Sequence, residues 1–176
     1  MEVAALLAAT NTLPRRTAFI GSGPLPLSSL FMLDLIKQWR HAHFVPQLLD
    51  GRADEVTTIL NIDHSQAAVD ASSLMLSKLQ ASRETDSGID VNAHDADTAS
   101  YGHMSFLCQE ASASDLSEFD AVFLAALVGQ TQSEKETLLL EIVSKMAPGS
   151  ILVVRTSWGL RTCLYPVCHS SRHDVQ

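Results

Sequence analysis

The sequence predicts an α/β protein built on a doubly wound, mostly parallel sheet. Short apolar segments rich in β-branched and aromatic residues alternate along the chain with longer segments of helical periodicity. The predicted strand at residues 120–127 is apolar after its first residue, which is typical of a parallel strand buried on both faces. Near the start of the chain, a predicted strand ends in Gly-Ser-Gly and leads directly into a helix. This arrangement is typical of α/β proteins that bind ligands at the carboxyl ends of their strands.

The first half of the chain supplies two strands and two helices. Residues 17–20 form a short apolar strand, and residues 26–39 form a helix because their apolar side chains share one broad face. Residues 41–54 contain Pro and Gly and are predicted to connect this helix to the second strand, at residues 56–62. A second helix follows at residues 65–79, with its apolar residues again at helical spacing.

The second half begins with an insertion at residues 82–103. It holds five acidic residues and few apolar ones, so we expect it to be solvated. Strands follow at residues 104–108, 120–127 and 151–155. The helix between the last two strands begins at Ser133–Glu136, a capping box in which a hydroxyl and a carboxylate three residues apart satisfy free backbone N–H groups.

The 176 residues are enough for a single folded domain. We divide them into a residual N-terminal helix at 1–16, a ligand-binding domain at 17–167 and a tail at 168–176. The net charge of −8 argues against nucleic acid and against an anionic membrane surface as partners, since both need basic residues. No apolar run approaches the roughly 20 residues that span a bilayer, and residues 1–10 lack the basic region of a signal peptide.

The cysteines are few and odd in number, which fits reduced thiols in a cytoplasmic protein better than a disulfide framework. Two of them lie near two histidines toward the C-terminus, a composition that resembles a metal site. These residues are Cys163, Cys168, His169 and His173. They contain no Cys-x-x-Cys pair, so we predict that the protein binds no metal there.

The turn Gly21-Ser22-Gly23 is the first candidate for contact with a ligand. Glycine adopts positive φ and, without a Cβ, allows a ligand to approach the backbone. The third glycine of a dinucleotide fingerprint is replaced by Pro26, its acidic residue is missing at the expected spacing, and the lysine of a P-loop is absent. Such a turn suits a nucleoside that carries an amino acid. A tight turn with no ligand is the alternative.

Polar or small residues follow the next three strands. Asp63 is positioned to accept hydrogen bonds from both ribose hydroxyls, and Glu110 to accept one from an adenine amino group. The fourth strand supplies small or apolar residues that leave room for a flat ligand: Ala125, Ala126 and Leu127. As alternatives, Asp63 caps the helix that follows it, in competition with Ser65, and Glu110 is an exposed loop charge.

Several segments, in this order and spacing, resemble the nicotianamine synthase family. They are residues 19–28, 104–106, 123–129 and 152–155, with Gly159, Arg161 and residues 164–166. The agreement extends over most of residues 13–167. The resemblance implies a Rossmann-like sheet of the class I methyltransferase type, which here would be incomplete at both ends.

The resemblance also implies an activity and its site. Such enzymes use S-adenosylmethionine as substrate and need no metal. They transfer its 3-amino-3-carboxypropyl group to make nicotianamine, a metal chelator, and release methylthioadenosine. The implied contacts are Gly21, Ser22 and Gly23 with the methionine part, Asp63 with the ribose, Glu110 with the adenine amine, and Ala125, Ala126, Leu127 and Tyr165 with the pocket wall.

The chain departs from the family at its N-terminal end. The family has a long helical region there that supplies glutamate and tyrosine residues for substrate activation, whereas only about sixteen residues precede the first strand here. Trp158 stands where the family pattern leads us to expect histidine. We therefore expect a truncated or short homologue with no assignable catalytic residue. The alternatives are a small-molecule methyltransferase on the same fold and an inactive fragment that binds the cofactor or another subunit.

Overall fold

The structure of the protein, a computed structural model, describes Leu6 and residues 13–43, 57–86, 103–124 and 132–155. The strands are β1 (Arg16–Ile20), β2 (Thr58–Asp63), β3 (Met104–Cys108), β4 (Ala121–Leu124) and β5 (Ile151–Val154). The helices are α1 (Leu27–His43), α2 (Gln66–Asp86) and α3 (Gln132–Lys145), with a 3-10 turn at Ala111–Ala113. The strands form one sheet in the order β3-β2-β1-β4-β5.

All neighbouring strands of this sheet are parallel, so their carboxyl ends lie along one edge. From β1 the chain proceeds through β2 to β3 on one side, and then returns to β4 and β5 on the other side of β1. The boundary between β1 and β4 is therefore the switch point at which ligands bind in doubly wound folds. The fold class predicted from the sequence is confirmed.

Alternating side chains build a separate core on each face of the sheet, because successive residues of a strand point to opposite faces. Phe19 and Phe123 belong to one core, which α1 and α2 cover with residues such as Leu33. Ile20 belongs to the other core, which α3 covers with Ile142. Both faces of the central strands are thus removed from water, as their nearly continuous apolar sequences predict.

Two helices are longer than the sequence analysis predicts. Helix α1 continues to His43, into the predicted connection at 41–54, because no proline occurs before Pro46. Helix α2 continues to Asp86, so residues 82–86 of the predicted solvated insertion are helical. The first glycine after them is at position 88, and polar side chains alone do not end a helix. The rest of the insertion, up to residue 102, lies outside the described residues.

Several predicted boundaries shift by one or two residues, and two of these shifts concern helix α3 and strand β2. Helix α3 begins at Gln132, which puts Ser133 in its first turn instead of at its N-cap, and the Ser133 carbonyl accepts a bond from the Thr137 hydroxyl at 2.9 Å. Strand β2 includes Asp63 as its last residue. Within the described part of the chain, no helix is both long enough and apolar enough to cross a membrane.

Of the predicted N-terminal helix at residues 1–16, the structure describes Leu6 and residues 13–16. Leu6 is buried in the same core as Phe19, and β1 already begins at Arg16. The tail at residues 168–176 lies outside the described residues. The division of the chain into these three parts remains a prediction.

Candidate active site

The Gly21–Gly23 turn lies against the carboxyl end of β2. Strands β1 and β2 pair in register up to Ile20 and Ile62, and the chain turns immediately afterwards. Both glycines have the positive φ that favours this residue type, 74° at Gly21 and 67° at Gly23. The turn and the end of β2 therefore form one continuous rim of the sheet.

The three backbone N–H groups of this turn all donate to acceptors at the end of β2. Gly21 and Ser22 donate to the Ile62 carbonyl at 2.8 and 3.4 Å, and Gly23 donates to Asp63 Oδ2 at 2.9 Å. A Cβ placed on Gly23 would meet no heavy atom within 4 Å, so the space beside this residue is open. The turn is thus held by hydrogen bonds to the end of β2, and the space at the Cβ position of Gly23 is open.

Asp63 lies at the centre of this rim and is only 8% exposed. Its second carboxylate oxygen, Oδ1, accepts a bond from the Ser65 N–H at 2.9 Å, while the Ser65 hydroxyl accepts one from Ala68 N–H at 3.4 Å. Ser65 is therefore the N-cap of α2, and Asp63 fixes the turn that precedes the helix. Within the described part of the chain, each Asp63 oxygen accepts one hydrogen bond, which leaves one lone-pair direction for a further donor.

Glu110 follows β3 on the neighbouring part of the rim. The adjoining Gln109 N–H donates to the Asp63 carbonyl at 2.9 Å, which joins the end of β3 to the end of β2. The side chain of Glu110 is exposed and makes no capping hydrogen bond to the 3-10 turn that it precedes. Its carboxylate is therefore accessible from the solvent side of the rim.

The remaining predicted contacts lie outside the described residues. These contacts are Ala125, Ala126, Leu127 and Tyr165. Trp158 also lies outside the described residues, as do the four residues predicted not to bind a metal: Cys163, Cys168, His169 and His173. Strand β4 is described up to the buried Leu124, which ends beside β1 at the switch point. Among the predicted contacts that the structure describes, Gly23 is hydrogen-bonded to Asp63, whereas Gly21 and Ser22 are bonded to the adjoining Ile62. Glu110 follows the adjacent strand end.

Comparison with known proteins identifies the family. A sequence model described as "Nicotianamine synthase protein" matches residues 1–176. The chain belongs to the nicotianamine synthase family. Its relatives include probable nicotianamine synthase 3 of Hordeum vulgare, 35% identical over 154 residues, or 88% of this chain and 36% of that protein. Nicotianamine synthase of Solanum lycopersicum is 30% identical over 158 residues, 90% of this chain and 39% of that protein.

This nicotianamine synthase family member spans a little over a third of the length of those plant relatives. A solved structure with the same fold is a mutant of MtNAS, with a TM-score of 0.59 and 18% identity, covering 96% of this chain and 48% of that one. (S)-3-hydroxybutyryl-CoA dehydrogenase PaaH1 from Ralstonia eutropha is also similar, with a TM-score of 0.51, 17% identity and coverage of 86% and 44%. Since a protein named as a CoA dehydrogenase has a similar structure, the fold alone assigns no activity to this chain.

Two residues of the rim in this family member were missed by the sequence analysis. His64 Nδ1 lies 3.6 Å from Asp63 Oδ1, with its side chain 74% exposed, and the Cys108 thiol donates to the His64 carbonyl at 3.5 Å. His64 directly follows a singled-out carboxylate, and Cys108 ends a predicted strand. Both residues lie at the carboxyl ends of neighbouring parallel strands, where ligands bind in this fold class, and this position in the sequence could have identified them.

A cavity of about 680 Å³ lies at the opposite edge of the sheet, where β1, β4 and β5 begin. It is lined by Leu6, residues 13–15, residues 117–121 and residues 147–151. None of the predicted contact residues that the structure describes lines it. Among the described residues, no group of three His, Cys, Asp or Glu side chains is arranged to hold a metal ion.

Proposed function

We propose that this member of the nicotianamine synthase family binds S-adenosylmethionine at the rim formed by the Gly21–Gly23 turn and Asp63. The activity proposed is transfer of the 3-amino-3-carboxypropyl group to make nicotianamine, with release of methylthioadenosine. The observation that carries the proposal is the 2.9 Å bond from Gly23 N–H to Asp63 Oδ2, which makes the turn and the carboxylate one site. The match of the family to residues 1–176 supports the same activity.

The polarity of the turn favours an amino acid over a phosphate. Phosphate sites of this kind present free backbone N–H groups to the anion. Here the N–H groups of Gly21, Ser22 and Gly23 are already used by β2. Among the described residues, the carbonyl oxygens of the turn and the Ser22 hydroxyl have no hydrogen-bond donor, and such acceptors suit the ammonium group of a methionine part. The open space beside Gly23 supports close approach of such a group.

The nucleoside part is assigned to the carboxylates. The free lone pairs of Asp63 would accept ribose hydroxyls, and the exposed Glu110 would accept the adenine amino group. Residues 125–127 would line the base pocket, since they follow Leu124 at the switch point. Tyr165 is proposed as a wall residue.

The sulfonium of the substrate makes its γ-carbon electrophilic. A nucleophilic amine forms the new C–N bond there as the C–S bond breaks, sulfur keeps the electron pair in methylthioadenosine, and a base takes the amine proton. The rim residues would contribute by holding the substrate in one orientation, which is a large part of such a rate enhancement. No residue of this chain is proposed as the base. Because the product chelates metal ions, the proposal assigns the protein to metal homeostasis. A cytoplasmic location is proposed with it, on the basis of the few and odd-numbered cysteines.

Calorimetry with S-adenosylmethionine and mass spectrometry of the products test the proposal on the purified chain. We expect saturable binding below millimolar ligand and, where turnover occurs, methylthioadenosine as the nucleoside product. S-adenosylhomocysteine as product would instead show a methyltransferase, and binding without either product would show an inactive cofactor-binding protein. Absence of binding at millimolar ligand would rule out the site.

Replacement of Gly23 by alanine gives a sharper test of the turn. Gly23→Ala is expected to destabilise the fold by about 1–2 kcal/mol, because an L side chain is disfavoured at positive φ. It should also weaken S-adenosylmethionine binding at least tenfold, since the new methyl group enters open space beside the turn.

Gly149→Ala is the matched control. Gly149 also has positive φ (90°) and open space at its Cβ position, but it lines the cavity at the opposite edge of the sheet. It should lower the unfolding temperature to a similar extent and leave ligand affinity unchanged. Equal losses of affinity in the two variants would contradict the assignment of the Gly23 turn to the ligand.

A further inference from the structure

The Asp63 carboxylate joins two separate turns of the backbone. Its Oδ2 accepts the N–H of Gly23, which precedes it by forty residues, and its Oδ1 accepts the N–H of Ser65, both at 2.9 Å. The first donor belongs to the turn between β1 and α1, and the second to the turn between β2 and α2. One buried side chain therefore connects the starts of two helices at the rim.

The hydrogen bond from Gly23 to Asp63 should contribute strongly to the conformation of the turn. A hydrogen bond to an ionised carboxylate is stronger than one between neutral groups, and more so in a partly buried position. Gly23 has no side chain to pack, and glycine loses more conformational freedom on ordering than any other residue. Of the two other N–H bonds of the turn, the Ser22 bond is long, at 3.4 Å. The Asp63 bond is thus the one that fixes the end of the turn next to α1.

We propose that Asp63 is a positioning residue that sets the conformation of the Gly21–Gly23 turn before any ligand arrives. This role is separate from its proposed contact with ribose. Its consequence for ligand binding rests on the proposed function: a single carboxylate couples recognition of the amino-acid part, through the turn, to recognition of the nucleoside part, through its free lone pairs.

Amide hydrogen exchange of the ligand-free protein tests the positioning role directly. In the wild type, Gly23 N–H should exchange at least tenfold more slowly than Gly149 N–H, a positive-φ glycine whose N–H makes no hydrogen bond within the described residues. In Asp63→Asn, the isosteric amide keeps one acceptor oxygen for two donors. Exchange at Gly23, at Ser65 or at both should then accelerate by roughly tenfold or more.

Glu110→Gln is the control, because it neutralises an exposed carboxylate of the same rim that makes no side-chain capping bond. Exchange at Gly23 and Ser65 should remain at the wild-type rate in this variant. If Asp63→Asn does not fold, the comparison of exchange rates at Gly23 and Gly149 in the wild type is sufficient to test the positioning role. Equal exchange at Gly23 and Gly149, or unchanged exchange in a folded Asp63→Asn protein, would overturn the proposal.

A pair of ligands separates positioning from direct contact. S-adenosylmethionine and methylthioadenosine share the nucleoside, so the ratio of their affinities reports on the amino-acid part and hence on the turn. Asp63→Asn should weaken the binding of both ligands and reduce the ratio of the S-adenosylmethionine affinity to the methylthioadenosine affinity. Glu110→Gln should leave this ratio unchanged. Equal weakening of both ligands by Asp63→Asn would show ribose contact without positioning. If neither ligand binds the wild type, the proposed function fails, while the exchange data still decide the role of Asp63.

Discussion

Ser29 and Asn61 form a buried polar pair beneath the rim. The Ser29 hydroxyl donates to Asn61 Oδ1, and both residues are at most 1% exposed. Asn61 Nδ2 donates in turn to the Ser105 carbonyl at 3.4 Å, so one side chain connects the start of α1, the middle of β2 and β3. Because a buried polar atom without a partner is costly, this pair specifies how α1 sits on the sheet below the Gly21–Gly23 turn.

Removal of either partner leaves the other buried and unpaired, so the losses caused by the two single changes should not add up in the double variant. Ser29→Ala is expected to lower the free energy of unfolding by about 1–3 kcal/mol, because it leaves Asn61 Oδ1 buried and unpaired. Adding Asn61→Leu to Ser29→Ala should cost less than the sum of the two single changes. Urea unfolding of the four proteins gives the coupling energy. Strictly additive losses would show that the pair has no net interaction.

At the scale of elements, the connection from β3 to β4 is shaped by Asp115. Its Oδ1 accepts the Ser117 N–H at 3.0 Å and the Ser117 hydroxyl at 2.7 Å, and the intervening Leu116 is fully buried beside Met146. The backbone bond from Ser117, followed by its hydroxyl, holds the pKa of Asp115 below the ordinary value of 3.8. The turn thus directs Leu116 into the core that α3 covers.

The lowered pKa predicts a pH-dependent contribution to stability. A carboxyl group whose pKa is lower in the folded protein stabilises the fold above its unfolded pKa, and this contribution is lost as the pH falls through the folded value. Asp115→Asn keeps an acceptor oxygen but removes the charge. Its unfolding temperature should be below that of the wild type at neutral pH, and the two should converge below pH 3.8. A difference that does not depend on pH would contradict this cause.

At the scale of the whole molecule, the stacked side chains of Phe19 and Phe123 pack in the core at the centre of the sheet. They face each other across β1 and β4 at the switch point, with ring centroids 4.7 Å apart and planes 14° apart. Each ring is 1% exposed, and the two belong to the core that α1 and α2 cover. Two stacked aromatic rings therefore lie in the core directly below the boundary at which the ligand is proposed to bind.

Truncation of one ring should test how far the fold depends on this centre. Phe123→Ala is expected to lower the free energy of unfolding by about 3–5 kcal/mol, a large fraction of the roughly 5–15 kcal/mol of a typical domain. Leu140→Ala is the control, because Leu140 on α3 is 71% exposed and should change stability by less than about 0.5 kcal/mol. Chemical denaturation followed by circular dichroism measures both. Similar losses in the two variants would mean that the stacked rings do not dominate the core.

The elements were predictable where their cause is local. The spacing of apolar residues identified α1, and Met104–Cys108 was predicted with its observed bounds. Helix ends were less predictable: α2 continues through residues 82–86 of a polar, acidic segment, because polar side chains alone do not end a helix. The observed start of α3 also differs from the predicted one, because a capping motif locates the first residue of a helix only to within a residue or two.

The sequence by itself determined the alternation of strands and helices, the glycine turn after β1 and the family, since each depends on residues that are near one another in the chain or on an ordered set of motifs. The tertiary structure alone decided that Asp63 reaches back forty residues to the Gly23 N–H, and that the turn's other N–H groups bond to Ile62. Parallel pairing is the physical reason: it brings the carboxyl ends of β1 and β2 side by side, where backbone donors of one segment meet acceptors of another.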